Sequence, residues 1–265
     1  MTTLTVYLEG VGLLGPGLAG WGASAPVLAA PAHYVAAAPV IPAPDCLPPA
    51  ERRRVGTQIK LALAVGREAA AHAQRDPATL ANVFSASSGD GDNCHAICET
   101  LAGDDRLISP TRFHNSVHNA PAGYWGIAMK CMAPSTSLCA HDGSFAAGLL
   151  ETAVQACAGG TPALLVCADA PYPEPLHQVR PISQAFGVAL VLAATPGPHT
   201  LARLELALGS AVPTTLDAAP LEALRSGNPA ARALPLLQAV AAKRSGAVQL
   251  QYLPGCTLAA TLAPA

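Results

Sequence analysis

The apolar positions of this chain fall into two patterns that alternate along its length: short continuous runs, and longer stretches with helical spacing. Leu4–Leu8 reads as a strand, closed by the turn Gly10-Val-Gly-Leu-Leu-Gly-Pro16. Residues 22–50 are rich in Ala and Pro and read as irregular. Glu51–Gln74 places Ile59, Leu63 and Ala70 on one face of a helix. Asn82–Ala86 reads as a strand ending in Ser87-Ser88-Gly89-Asp90-Gly91, and Asn93–Ala102 as a helix. A small-residue helix and a tight turn then lead into a strand over Pro134–Ala140, and a second small-residue helix spans Gly143–Ala158. Pro162–Ala168, Phe186–Ala193, Leu201–Leu208, Val248–Tyr252 and Thr257–Leu262 complete the strands. Strands alternating with helices predict an α/β fold with a largely parallel sheet covered on both faces.

Composition changes the picture in one respect. The 265 residues are 51% hydrophobic and 12% charged, with a net charge of −2, whereas soluble domains average roughly 25% charged residues. The longest charge-free run, Gly10–Pro44, contains Pro16, Pro26, Pro31, Pro39, Pro42 and Pro44. Proline inside a helix removes a donor and clashes with the preceding turn, so this run predicts no membrane span. No Lys or Arg precedes the first apolar segment and Glu9 interrupts it, which argues against a secretory signal. The expectation is a cytoplasmic protein whose eight cysteines are small apolar residues rather than a disulfide framework. A subunit interface then accounts for the missing charge. No basic stripe points to nucleic acid.

The segment of greatest chemical interest is Cys-Ala-His-Asp-Gly-Ser, residues 139–144. A strand, a sharp tip and a helix start are the geometry that presents a nucleophile in several acyl-transfer folds. Cys139 and His141 lie two apart, so on a strand they share a face, and a Cys–His pair with Asp142 beside it is one reading. Against it, such groups usually assemble from distant segments. Asp142 also reads as a cap for the helix that follows. Cys94-His95 with Cys98 resembles metal spacing, but no second pair lies at zinc-ribbon distance. Ser88-Gly-Asp-Gly91 lacks a phosphate-loop lysine. His114 and His118 sit among Asn and Ser and read as loop hydrogen-bonding residues. Arg52-Arg53-Arg54 reads as a solvated face. No metal or cofactor is expected.

Several segments, in order, resemble the ketosynthase branch of the thiolase fold, and specifically the short ketoacyl-synthase-like proteins of aryl polyene pathways. They are Val6–Pro16 with Trp21, Phe84–Gly91, Ser109-Pro110 with Phe113–Trp125, Pro134–Leu138, Phe186–Leu192 and Gly255–Leu262. The stretch HNSVHNAPAGYW is specific to the short family. The resemblance implies a layered αβαβα thiolase-like fold with a truncated C-terminal half: residues 1–208 as the ketosynthase-like N-terminal half, and 209–265 as a reduced remnant packed on the same domain.

The departures from that family carry the functional expectation. An ungapped match of Pro134–Leu138 places Asp142 where ketosynthases have their active-site Cys, and Cys139 three residues early. A carboxylate cannot form the thioester that condensation requires. Ketosynthases also need two His from their C-terminal half, and this chain has none after His199. The resemblance therefore implies a non-catalytic chain-length factor. Such a subunit pairs with an active ketosynthase, meets acyl carrier protein through that complex, and shapes the acyl tunnel. Pro134, Ser135, Thr136, Ser137, Leu138, Cys139 and Ala140 are expected at the subunit interface, with Cys139 buried and inert. Met132, Phe145, Ala146, Ala147 and Gly148 are the expected tunnel-lining residues. The alternatives are a stand-alone acyltransferase or hydrolase using Cys139 and His141, and a homodimeric module that binds acyl-CoA or acyl carrier protein.

Overall fold

The computed structural model describes residues 3–265. The strands are β1 (Leu4–Gly15), β2 (Leu18–Ala19), β3 (Ala81–Ser85), β4 (Ser135–Leu138), β5 (Ala163–Asp169), β6 (Phe186–Ala193), β7 (Ala202–Gly209), β8 (Gly246–Leu253) and β9 (Cys256–Pro264). The helices are α1 (Trp21–Ala29), α2 (Pro49–Arg52), α3 (Thr57–His72), α4 (Gly91–Ala102), α5 (Pro110–His114), α6 (Ala120–Met129), α7 (Ser144–Gly159), α8 (Leu176–Val179), α9 (Ala219–Gly227) and α10 (Leu234–Ala241). All the strands join one sheet, in the order β4-β3-β5-β6-β1-β7-β9-β8, with β2 paired to β1.

The sheet is mixed rather than largely parallel. Only β3 with β4 and β3 with β5 run parallel, and the other pairings are antiparallel. Continuous apolar runs report burial on both faces and carry no information about strand direction. On β5 the alternation sorts the faces cleanly. Ala163, Leu165 and Cys167 join the cluster beneath α1, α7 and α10, and Leu164, Val166 and Ala168 join the cluster beneath α3 and α6. The described residues thus form helix–sheet–helix layers, one half of the layered thiolase arrangement.

Strand β1 runs through the middle and is longer than its apolar run predicts, at 12 residues. A bulge between Leu8 and Gly10 shifts the phase of alternation, so Val6, Leu8, Val11 and Leu13 all reach the same cluster. The extra residue, Glu9, is buried and accepts two hydrogen bonds of 2.9 Å from Arg75 Nε and Nη2. On the other face α3 lies directly on the strand. A Cβ on Gly12 would stand 2.0 Å from the Val65 carbonyl oxygen.

The expected helix over Glu51–Gln74 is two pieces, because residues 53–56 leave the helical path at Gly56. The Ala/Pro-rich stretch after Trp21 is not wholly irregular. It opens with α1, which tolerates Pro26, and the Ala30 amide donates to the Pro26 carbonyl at its end. Helices α9 and α10 were not expected from the pattern. Both have Pro in the first turn, where its missing N–H costs nothing.

Gly12→Ala should destabilise the protein by at least about 2 kcal/mol, since the new methyl meets backbone that cannot rotate away. Gly22→Ala in α1, where a Cβ meets nothing within 4 Å, should be neutral or stabilising. Paired denaturant melts of the two variants check the contrast, and equal losses would show that the α3–β1 contact is not the cause.

Candidate functional site

The tip after β4 is assembled from distant segments. Leu138 ends the strand, and Cys139 and Ala140 lead into a 3-10 turn over His141–Gly143, from which α7 starts. His141 takes a positive φ of 50°. Ser144, fully buried, accepts a hydrogen bond from the Ala140 amide at 3.0 Å. Its hydroxyl lies 2.9 Å from the Ala86 carbonyl and 2.7 Å from that of His141. Gly143 packs under β8 so closely that a Cβ would lie 2.0 Å from the Tyr252 carbonyl oxygen. The hairpin of β8 and β9 therefore presses on the tip. A cleft of about 800 Å3 opens there, between residues 140–143, the loop 210–213 and the hairpin end at 251–257.

Asp142 does not cap α7. The residue before the helix is Gly143, with no side-chain cap. Instead Asp142 Oδ1 accepts from Arg180 Nη2 at 2.6 Å, and Oδ2 accepts from Arg232 Nη2 at 2.9 Å. Arg232 Nη1 also donates to Gln251 on β8. Burial raises the Asp142 pKa, but the hydrogen bond from Arg180 and the charges of Arg232 and Arg180 outweigh it, so the carboxyl sits below its ordinary value. The position expected to match a nucleophile thus holds a carboxylate tied to two cations.

The Cys–His pairing does not form. Cys139 is exposed in this chain, contrary to the expectation of burial, because β4 is an edge strand and the thiol lies just past its end. Among the described residues no hydrogen bond joins Cys139 to His141, and His141 Nδ1 instead faces Asp142 Oδ1 at 3.7 Å. Partial burial and the negative charge of Asp169 push the Cys139 thiol pKa up. An activated cysteine needs the opposite.

The remaining candidates separate. Phe145 and Ala146 lie inside this chain's own core, and Gly148 is packed against Leu165 and Ser85. Ala147 is half-buried and Met132 is 95% exposed. On α4, Cys94 and Cys98 are exposed and His95 pairs with Glu99 at 3.3 Å. Among the described residues no three His, Cys, Asp or Glu side chains gather as a metal would require. Asp90 caps α4, accepting from the Asn93 amide at 3.1 Å, so the Ser-Gly-Asp-Gly turn has a structural use. The ring of His114 meets Tyr124 edge-on at 6.2 Å.

Sequence reasoning missed Arg180, Arg232 and Asp169. Arg232 left a faint signal as a lone charge within the apolar run Pro229–Val240. Asp169, at the end of β5, is 2% exposed. Its Oδ1 accepts from the Ser87 amide at 2.8 Å and the Ser87 hydroxyl at 2.7 Å, while Oδ2 is buried without a partner.

The chain belongs to a family of condensing-enzyme domains: a model for "Beta-ketoacyl synthase, N-terminal domain" matches residues 28–252. Solved structures share the fold. A chain of the complex of the ketosynthase ApeO with its chain length factor ApeC, from Xenorhabdus doucetiae, superposes with a TM-score of 0.74 at 22% identity. The match covers 97% of this chain and 99% of that one. A chain of the ishigamide ketosynthase/chain length factor gives a TM-score of 0.74 at 15% identity over 98% and 99%. A chain of the type II polyketide complex AntDE:AntF gives 0.74 at 11% identity over 100% of both. No curated protein sequence matches. No helix among the described residues is long and apolar enough to cross a membrane.

Burial pushes the Asp169 pKa up from 3.8 to about 6, against the hydrogen bonds from Ser87 and the charge of Arg180. A raised carboxyl stabilises the fold fully below its unfolded value and loses that contribution as pH rises through its folded value. Stability should therefore fall between pH 3.8 and about 6 by about 3 kcal/mol from this group alone. Asp169→Asn should remove that slope, and denaturant melts at pH 4 and pH 8 check it. An unchanged slope would mean that Asp169 titrates like a solvated carboxyl.

Proposed function

We propose that this chain is a non-catalytic ketosynthase-like subunit, a chain-length factor that pairs with an active β-ketoacyl synthase in aryl polyene or related polyketide biosynthesis and shapes its acyl tunnel. The observation that carries this reading is Asp142. The residue at the tip before α7 is a carboxylate held by Arg180 and Arg232, which cannot accept an acyl group as a thiolate does. The relatives in fold are chains of ketosynthase complexes, two of them with a chain length factor.

The two edges of the sheet support a partner at one of them. The edge at β8 is covered: the Thr214 amide donates to the Gln249 carbonyl, and the Gln249 amide donates to the Thr214 hydroxyl, each at 2.9 Å. The edge at β4 lies open, with Ser135 exposed. An open strand edge templates pairing with another chain. Ser135 and Ser137 line a small groove along this edge with Asn119 and Gly123, and the same Asn119 and Gly123 border a second groove of about 570 Å3 that includes the exposed Phe113, Val117 and Ile127. With Met132 nearby in sequence, these residues, rather than the inward-facing Phe145 and Ala146, are the apolar side chains available to a partner and its tunnel. Pro134–Ala140 would then lie along the axis of the pair. Residues 209–265 act as the remnant of the second half, adding β8 and β9 to the sheet through β7.

Co-expression with the cognate ketosynthase should give a stable pair by size exclusion with light scattering. Phe113→Asp with Met132→Asp should abolish co-purification while leaving the far-UV spectrum intact, because both side chains are exposed in the free chain and their exchange costs the fold little. A double variant that still co-purifies would place the interface elsewhere. Cys139→Ser should leave product formation by the pair unchanged. Loss of product with pairing intact would instead favour the reading in which Cys139 is a nucleophile.

A further inference from the structure

Asp142 presents one carboxylate oxygen to each of two guanidinium groups. Two cations face this carboxylate, Asp169 lies within the field of Arg180, and Arg225, itself paired with Glu222, adds positive potential to Arg232. Arg232 is held in place rather than floating. Its side chain is only 11% exposed, Nη1 donates to Gln251, and Nε is buried with no partner. Arg180 closes the other side from the segment after α8 and is itself 24% exposed. The approximately 800 Å3 cleft is lined by Asp142 and Gln251, the hydrogen-bond partners of these arginines, which themselves stand behind its wall. Planar guanidinium groups fixed on both sides of a carboxylate are the usual protein answer to an anion of that shape.

We propose that Arg180 and Arg232 form a carboxylate-binding cradle which the chain fills with its own Asp142, closing this centre to the carboxylate of an incoming acyl unit. The closing role rests on the reading of the chain as a non-catalytic subunit; the cradle itself rests only on the geometry. Without Asp142, the two cations and the cleft would face an extender-type thioester, whose free carboxylate matches them. With Asp142 in place the cations are satisfied internally, and the growing chain has no competing site in this subunit. Asp142 is then a positioning residue. It holds residues 140–143 against β8 through Arg232 and Gln251, and it excludes a ligand by being one.

Chemical rescue tests the cradle. Asp142→Gly should lower the melting temperature of the full chain by roughly 6 °C or more, the shift that follows from breaking a largely buried ion pair in a chain of this size. Sodium formate, or malonate as a dicarboxylate probe, should restore it saturably as a ligand of the folded state. Chloride at matched ionic strength should not. Wild type, and Asp142→Gly combined with Arg232→Met, should not respond either. Equal recovery with chloride, or in the double variant, would overturn the cradle. Malonate binding to wild type as tightly as to Asp142→Gly would overturn the closure. Should the glycine variant be insoluble, Asp142→Glu and Asp142→Asn decide. A cradle that requires an anion retains soluble chain with Glu and loses it with Asn, and equal behaviour of the two overturns it. The readout is thermal and needs neither partner nor product. Condensation by the lone chain would remove the subunit reading and leave the cradle standing.

Discussion

The close seating of α3 on β1 organises this molecule. Side chains normally fill the space between a helix and the sheet it covers and hold the two backbones apart. Here glycines at positions 10 and 12 remove those side chains, and the Ala69 and Val65 carbonyls come down almost onto the strand. The bulge at Glu9 puts both glycines on the α3 side, since it shifts the alternation by one residue between Leu8 and Gly10. Arg75, just past the end of α3, then reaches back to neutralise the Glu9 that the bulge has buried. Removing the bulge would turn the glycines to the opposite face, and the helix would lose its seat.

In a chain with so few charges, the positions of the buried and half-buried carboxylates are informative. Glu9 secures the bulge. Glu68 accepts from the Leu13 amide at 2.9 Å and from the Trp21 amide, fastening the end of β1 and the start of α1 to α3. Asp142 joins the tip to residues 180 and 232, and through Arg232 to β8. Each of these carboxylates ties segments that are distant in sequence and is itself satisfied by the donors it meets. Asp169 differs, because one of its oxygens has no partner. It therefore opposes folding when ionised, whereas Asp142 contributes stability above its unfolded pKa and loses it as pH falls through its depressed folded value.

The α/β class, most strands and the importance of the tip were legible in the sequence because they depend on local pattern. Phe186–Ala193 is a strand to the residue, since a continuous apolar run bounded by turns has few other uses. Strand direction was not legible, because β5 and β6 carry the same kind of apolar run whether their neighbours run parallel or antiparallel. The role of Asp142 was misread as a cap because its partners lie 38 and 90 residues away. No spacing rule connects positions that distant. Likewise, the small residues of α7 suggested room for a ligand, but the helix turns Ala146 and Gly148 into its own core.

The two ends of the sheet are finished differently. An edge strand exposes unpaired amides and carbonyls, and proteins usually blunt such edges. At β8 this chain does so with Thr214, whose backbone and hydroxyl engage Gln249. At β4 it does not, although the strand is short and carries Ser, Thr and Ser in its first three positions. Those residues are poor core formers and well suited to a polar pairing seam, while Phe113 and Ile127 supply the apolar surface alongside. One edge is protected and the other left open beside a groove lined with aromatic and aliphatic side chains. That asymmetry leaves one end of the sheet unblunted, and the ion-paired tip of Asp142, four residues past β4, lies at the same end.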